Sequence, residues 1–403
     1  MNDLDLACPS PGPHTTPAYR PWLAVTSAGF ATFAVVTTEM LPVGLLTEIA
    51  QDVGTTTGTA GLLLSVPAFL AAVFAPLAVV AAGGIDRRRI LAGLLLLLAC
   101  ANLATALAPT LAWLLASRVL VGFCIGGIWA IGSGLAVRLV PASSVGLATS
   151  IIFGGVAAAS VLGVPLGALI GDWAGWRMAF GSMALLATFV LALHLWSMPP
   201  LPVRNAVSLR QLRAALSNRG LLLGLATTLL VVAGHFMAFT FVRPWFLSVS
   251  GFTAEWMGVL LFAYGIAGIG GNFVSGLSAA RHVGLTLIAI TAGLAAALLL
   301  LWAAGGQSWA SAMVLVLWGL AYGGVSVSLM TWTMKVAPAT LEAATAWNVA
   351  AFNTAIFLGS FVGGRLVDHQ GLQANLFVAC GLIVLALGAS MAIQRRLTRP
   401  VAG

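Results

Sequence analysis

Long apolar runs alternate with short polar segments along almost the whole chain. A helix needs about twenty mainly apolar residues to cross the hydrocarbon core of a bilayer. Windows of that length predict twelve spans, numbered here in chain order: 22–47, 59–83, 90–108, 111–138, 145–171, 178–198, 221–247, 253–277, 284–304, 308–334, 342–367 and 373–394. The runs are continuous rather than alternating in polarity, which favours helices over a transmembrane barrel. The pattern therefore predicts an all-α membrane protein.

The longest polar stretch between spans, 199–219, begins with the sequence PPLP and then carries four arginines. Because it separates six spans from six, it is predicted to link two bundles. The predicted organisation has an N-terminal six-helix bundle at 21–198 and a C-terminal one at 220–394. Cytoplasmic tails are expected at 1–20 and 395–403.

The two halves repeat the same small and charged residues at a fixed distance. Four positions in and after span five recur 196 residues later around span eleven: Gly163, Gly167, Asp172 and Gly175 correspond to Gly359, Gly363, Asp368 and Gly371. Five positions around span four recur 197 residues later: Gly122, Gly126, Gly127, Arg138 and Pro141 correspond to Gly319, Gly323, Gly324, Lys335 and Pro338. Two parallel repeats of six spans are typical of a transporter whose site lies between the halves.

Composition excludes several function classes. Hydrophobic residues make up 60% of the chain and charged residues only 7%, so it cannot present the charged surface of a soluble protein. The net charge of +8 lies in the gaps between apolar runs, and no nucleic-acid partner is expected. There is no metal-binding histidine motif, no Ser-His-Asp set and no Walker loop. An enzyme, a metal site and a cofactor are therefore not expected.

The basic residues also predict the orientation. Most of the eighteen lysines and arginines fall in segments that are cytoplasmic if the N-terminus is cytoplasmic. This positive-inside bias places both termini in the cytoplasm. The first apolar run lacks a small-residue cleavage site, so it is interpreted as a retained span.

Four motifs resemble the major facilitator superfamily, specifically its twelve-span drug and metabolite proton antiporters. Residues 83–89 (GGIDRRR) are similar to the Gly-x-x-x-Asp-Arg loop between spans two and three, although the usual glycine after Asp-Arg is absent. Residues 118–122 (RVLVG) resemble the Arg-x-x-x-Gly signature of span four. Residues 163–167 (GVPLG) resemble the span-five antiporter motif, with the proline shifted by one place. Residues 38–46 (TEMLPVGLL) are similar to span one of bacterial sugar and purine-ribonucleoside efflux pumps.

Glu39 and Arg118 are the candidates for proton coupling. Glu39 lies roughly 12 Å from the outer end of span one at about 1.5 Å per residue. A carboxylate at that depth is costly unless it is paired, protonated or facing water, and intramembrane acids are functional candidates by default. Arg118 lies at a similar depth, and the resemblance implies that it shapes the proton site. A permanent structural ion pair is the alternative for both residues.

Five residues are candidates for substrate contact, each with a plainer alternative. Arg243 near the outer end of span seven could pair with Glu39 or bind a solute, or it could reach lipid headgroups. His235 and Asn348 could hydrogen-bond a polar solute or serve in helix packing. Trp129 and Phe153 could stack on a base or a drug, or fill space between helices.

Six residues are candidates for gating: Asp86, Arg87, Arg89, Gly163, Pro165 and Gly167. The resemblance implies that Asp86 and the two arginines form a cytoplasmic latch whose charge pairs break when the inner gate opens. The two glycines let helices approach closely. Pro165 removes one backbone donor and can bend span five.

The combined prediction is a multi-pass transporter of the bacterial inner membrane. It would export a small polar solute, such as a nucleoside or a sugar, by proton antiport with alternating access. A broad-specificity drug:proton antiporter and a uniporter on the same scaffold are the alternatives. The expected partners are the solute, protons and the lipid bilayer, and the oligomeric state is left open.

Overall fold

The computed structural model describes residues 20–81, 84–132, 135–141, 144–202 and 209–398. All regular secondary structure within these ranges is helical. In the N-terminal half the helices are Arg20–Asp52, Thr57–Ala60, Leu62–Ala81, Arg87–Ala106, Leu111–Gly132, Leu135–Leu139, Val145–Ala158, the π-helical turn Ala159–Gly163, Val164–Ala174 and Trp176–Ser197. In the C-terminal half they are Leu209–Ala215, Arg219–Phe239, Val242–Ser248, Glu255–Ala304, Ser308–Gly323, Val325–Val336, the 3₁₀ turn Pro338–Thr340 and Leu341–Thr398.

Ten helical stretches of the described chain are long and apolar enough to cross a membrane. Two of them are double. Glu255–Ala304 has 50 residues and non-helical backbone at His282, and Leu341–Thr398 has 58 residues and non-helical backbone at Gly371. Each half of these long stretches has the length that a bilayer requires. Eight single and two double stretches therefore account for the twelve predicted spans.

Span seven is not the continuous helix that the apolar window predicts. Its helix ends at Phe239, and a second helix, Val242–Ser248, begins after a turn at Thr240 and Phe241. Pro244 explains the break, because its ring has no N–H and collides with the carbonyl four residues earlier, which belongs to Thr240. Span one also differs from its prediction, since its helix continues to Asp52.

Span five contains a π-helical turn at Ala159–Gly163, which ends two residues before Pro165. Proline cannot donate the hydrogen bond that an α-helix needs at that point, and a π turn accommodates the missing donor. The effect that Pro165 predicts for this span is therefore seen in the structure as a π-helical turn.

Glycines set the contact between spans one and five and between spans seven and eleven. Gly163 and Gly167 lie against Thr37 and Leu41, leaving no room for a Cβ atom. In the other half Gly359 lies against the backbone of Ala233, and Gly363 lies somewhat less closely against the Met237 carbonyl. Each glycine and its contact residue in the first half have counterparts 196 residues later in the second half. The two bundles therefore repeat the helix contact as well as the glycines.

Each end of the linker is fastened to its own bundle. At the start, Leu201 N donates to Asp86 Oδ1 over 3.0 Å, and Arg87 N donates to the Leu201 carbonyl over 3.2 Å. At the end, Trp347 Nε1 donates to the carbonyl of Leu212 in the short helix Leu209–Ala215 over 2.9 Å. Residues 203–208 lie outside the described chain, as do both tails apart from Arg20 and residues 395–398, so the boundaries expected for the linker and tails stay predictions.

Candidate functional site

An ionic cluster around a buried arginine joins the two bundles at the end opposite the linker, called here the far end. Arg243 on span seven is 1% exposed, and its Nη2 atom lies 2.8 Å from Glu48 Oε1 and 2.6 Å from Asp172 Oδ1. Its Nη1 atom donates to the carbonyl of Gly44 over 2.6 Å. Because Glu48 belongs to span one and Asp172 to span five, this arginine ties the C-terminal bundle to two helices of the N-terminal bundle.

A second carboxylate bond crosses the interface at the same end. Asp368 on span eleven accepts from Gly58 N over 2.9 Å and from Thr56 Oγ1 over 2.7 Å, both at the start of span two. Asp172 and Asp368 are the repeated aspartates, 196 residues apart. Together with Arg243 they form what we call the far-end clasp: Arg243 with Glu48 and Asp172, and Asp368 with the start of span two.

Glu39 lies in the middle of span one and is only 5% exposed. Within the described chain its Oε1 atom has no hydrogen-bond partner, and neither Arg118 nor Arg243 forms an ion pair with it. Arg118 donates instead to the carbonyl of the preceding residue, Thr38, over 3.1 Å and to Thr105 Oγ1 over 3.0 Å. The structure therefore places Arg118 beside Glu39 without a direct bond to its carboxylate, and it places Arg243 in the far-end clasp.

His235 lies in an aromatic cluster of the C-terminal bundle. Its Nδ1 atom accepts from Trp318 Nε1 over 3.0 Å. The ring of Tyr322 stacks on it with centroids 3.3 Å apart and an interplanar angle of 8°, and Phe239 stacks at 5.0 Å. Because Nδ1 accepts a hydrogen bond, the neutral ring carries its proton on Nε2.

Sequence reasoning missed Trp318 and Tyr322. Both lie on span ten, four residues apart and so on one helix face. Their only local signal was that spacing, which is equally typical of packing residues in an apolar span. Their contact with His235 depends on how spans seven and ten pack, which no local pattern shows.

The other substrate candidates contact neighbours within single bundles. Asn348 is 7% exposed, and its Oδ1 atom accepts from Thr228 Oγ1 on span seven over 3.2 Å. Trp129 and Phe153, on spans four and five, lie together with ring centroids 5.9 Å apart. Both rings are partly exposed, so their role in substrate contact stays a prediction.

The predicted cytoplasmic latch is bonded inside the N-terminal half in this structure. Asp86 Oδ1 caps the helix of span three by accepting from Arg88 N over 2.8 Å, besides binding the linker at Leu201. Within the described part of this loop the side chain of Arg88, and not that of Arg89, forms a hydrogen bond: its Nη2 atom donates to the carbonyl of Leu195 over 2.5 Å. A bond from Asp86, Arg87 or Arg89 to the C-terminal bundle is not seen among the described residues.

The sequence profile of the Major Facilitator Superfamily matches residues 28–346. The chain belongs to this superfamily. Purine ribonucleoside efflux pump NepI of Salmonella paratyphi A is 33% identical over 366 residues, which cover 90% of this chain and 92% of that pump. The protein of the same name from Salmonella enteritidis PT4 is 32% identical over 379 residues, covering 94% and 95%. The similarity to major facilitator efflux pumps points to a multi-pass membrane transporter and not to an enzyme.

Solved structures with the same fold agree with this assignment. A bacterial homologue of the human lysosomal transporter Spinster superposes with a TM-score of 0.72 at 14% identity, covering 96% of this chain and all of that one. The human organic anion transporter MFSD10 superposes with a TM-score of 0.68 at 19% identity, covering 93% and 100%. At these identities the likeness supports the two-bundle major facilitator fold and no shared substrate.

Proposed function

We propose that this major facilitator protein exports purine nucleosides across the bacterial inner membrane in exchange for protons. The observation that carries the proposal is the identity of 33% over 90% of the chain to a protein named a purine ribonucleoside efflux pump. Among the candidate contact residues, Asn348 supplies an amide and His235 an imidazole. Such groups suit a neutral hydrogen-bonding solute better than a lipophilic cation.

Proton coupling is assigned to Glu39. A buried carboxyl group with an unpartnered oxygen is costly as an anion, so it takes up and releases a proton as its surroundings change. Permanent pairing with an arginine would oppose that cycle. The contacts of Arg118 and Arg243 described above leave the Glu39 carboxyl free to titrate.

Alternating access is assigned to the interface between the bundles. Among the described residues, the hydrogen bonds and ion pairs between the two halves lie at the far end, in the clasp. With the linker in the cytoplasm, as the positive-inside bias predicts, the clasp closes the periplasmic side. Opening that side requires the bonds of Arg243 and Asp368 to break, while the linker end closes in turn.

The test is uptake into inside-out membrane vesicles with an acidic lumen. Tritiated purine nucleosides, pyrimidine nucleosides, sugars and a cationic drug are supplied separately. We expect purine nucleosides to accumulate and to lose that accumulation when an uncoupler removes the pH gradient. Accumulation of the drug or of sugars, with no response to purine nucleosides, would reject the proposed substrate and favour one of the alternatives.

A further inference from the structure

The first turn of span two is capped by residues of both bundles. Its helix begins after Thr56, whose side-chain oxygen accepts from Thr59 N over 3.1 Å. The first N–H groups of a helix have no partner inside it, and one capping side chain satisfies only part of them. Gly58 N donates to Asp368 Oδ1 over 2.9 Å, and Asp368 belongs to span eleven. The opposite bundle therefore completes the cap of span two.

The same carboxylate also holds the two threonine hydroxyls of this turn. Asp368 Oδ2 accepts from Thr56 Oγ1 over 2.7 Å and from Thr59 Oγ1 over 3.3 Å. The helix dipole adds to these bonds, because it favours a negative charge at the start of a helix. Three donors of one helix turn thus converge on a single side chain of the other half.

The main chains of the two bundles meet beside this cap. A Cβ atom at Gly58 would collide with the carbonyl oxygen of Gly364, and one at Gly364 would collide with the carbonyl oxygen of Gly58. Because backbone lies on both sides of the contact, neither side can make room by changing a rotamer. The two glycines therefore set the closest approach of the bundles at this point.

Phe241 fills the apolar side of the same helix start. It lies at the break in span seven, is 1% exposed, and packs in one cluster with Leu46, Ala50 and Ala60 of the N-terminal bundle. A Cβ atom at Gly61 would lie only 2.9 Å from the Phe241 Cζ atom. The C-terminal bundle thus inserts a large apolar ring against spans one and two, where its burial stabilises the contact.

We propose that residues 56–61, called here the span-two socket, form a docking surface that Asp368, Gly364 and Phe241 fill only when the far end is closed. A polar, a backbone and an apolar contact form together at one helix start, which makes the closed position specific. When the bundles separate, the first turn of span two loses part of its cap, and Phe241 loses its partners on spans one and two. This inference rests on the proposed alternating access and adds the surface that defines its closed state.

The span-two socket and the ion pairs of Arg243 have different tasks. Opposite charges attract over several ångströms, so the ion pairs of Arg243 draw the bundles together over a range of separations. A backbone contact between two glycines tolerates much less, because a single added methyl group already overpacks it. The ion pairs therefore supply attraction, and the socket supplies the exact fit at which the far end stops closing.

Distances between two spin labels measure closure of the far end in the purified protein in lipid nanodiscs. The labels are attached through Gln51→Cys and Gln307→Cys, two exposed positions at the far end of opposite halves, in a background without the native cysteines. In Gly58→Ala the ratio of long to short distances should rise about tenfold, because the methyl group meets the opposite backbone. The control Gly359→Ala adds a methyl group against Ala233 inside the C-terminal bundle. It should lower the melting temperature and leave the distance distribution unchanged.

A second variant tests the cap without adding any atoms to the contact. Asp368→Ala removes the carboxylate from the start of span two and should raise the same ratio about fivefold. The Asp368 side chain is exposed, so its loss leaves the packing of each bundle intact. His369→Ala changes the exposed neighbouring side chain and should keep the wild-type ratio.

A wild-type distance distribution in either Gly58→Ala or Asp368→Ala would overturn the proposal, as would an equal shift in Gly359→Ala. These distances are measured without any solute. Failure of the proposed transport appears separately, as wild-type vesicles that do not accumulate purine nucleosides. The two outcomes are therefore distinguishable.

Discussion

At the scale of single residues, the proposed proton exchange depends on Glu39. Its carboxyl is buried in the middle of span one, and one of its oxygens has no partner in the described chain. The sequence predicts an intramembrane acid here and leaves Arg118 and Arg243 as alternative partners, but neither arginine forms an ion pair with Glu39 in the structure. Arg118 bonds to the Thr38 backbone and Arg243 to two other carboxylates. Helix depth alone could not separate these options, because it leaves out how each side chain is directed.

Replacing Glu39 with Gln should abolish accumulation driven by a pH gradient. The amide keeps the size of the side chain but cannot bind and release a proton at neutral pH. Exchange of labelled for unlabelled solute needs no net proton movement and should remain measurable. Uptake in vesicles with and without a gradient distinguishes the two activities, and full gradient-driven accumulation by the variant would reject Glu39 as the coupling residue.

Replacing Arg243 with Ala should shift the protein towards the conformation open at the far end. The change leaves Glu48 and Asp172 close together without their shared cation, and like charges repel. Distances between spin labels on spans one and seven at the far end should lengthen. The control is Arg177→Ala, which removes the other far-end ion pair, with Asp52, that lies inside the N-terminal bundle and is nearly half exposed. An equal lengthening in both variants would contradict the role of the clasp.

At the scale of helices, much of the fold could be predicted. Apolar windows located the twelve spans, and the repeated glycines predicted close helix contacts at spans five and eleven. That spans one and seven are the partners is seen only in the structure. The break in span seven was missed although Pro244 signals it, because a window of average polarity does not register a missing donor. The partners of Asp172 and Asp368 were missed for another reason. These partners belong to the opposite bundle, and only the tertiary packing of the two bundles determines which residues come into contact.

Glycine contacts between helices differ in what a methyl group would meet, and stability should follow that difference. A Cβ at Gly359 meets the backbone of Ala233 and Met237, whereas at Gly167 it meets only the flexible end of the Leu41 side chain. We expect Gly359→Ala to destabilise the purified protein by about 1–3 kcal/mol through overpacking. Gly167→Ala should cost clearly less.

Thermal unfolding in detergent measures this series. Gly381→Ala is the control, because nothing lies within 4 Å of a Cβ atom at that position in span twelve. The expected order of melting temperatures has Gly359→Ala lowest and Gly381→Ala at or above the wild type. A melting temperature of Gly359→Ala equal to that of the control would show that spans seven and eleven pack less closely than described.

At the scale of the whole molecule, two six-helix bundles meet at an interface whose polar contacts differ from one end to the other. The far end is held by the clasp. The middle carries the buried Glu39, and at the linker end Asp86 is bonded within its own half. The resemblance implied a latch at the linker end, and the structure shows the fastening across the interface at the opposite end. A transporter that moves between two states needs to fasten only one end at a time.

The most direct test of purine nucleoside–proton exchange follows the proton itself. Proteoliposomes contain the purified protein and a pH-sensitive dye in the lumen, with equal pH on both sides at the start. A purine nucleoside is then added outside. Antiport predicts that nucleoside entry drives protons out, so the lumen becomes alkaline in the wild type and stays unchanged in Glu39→Gln. Nucleoside entry into wild-type liposomes with no change in lumenal pH, or with acidification, would contradict the account.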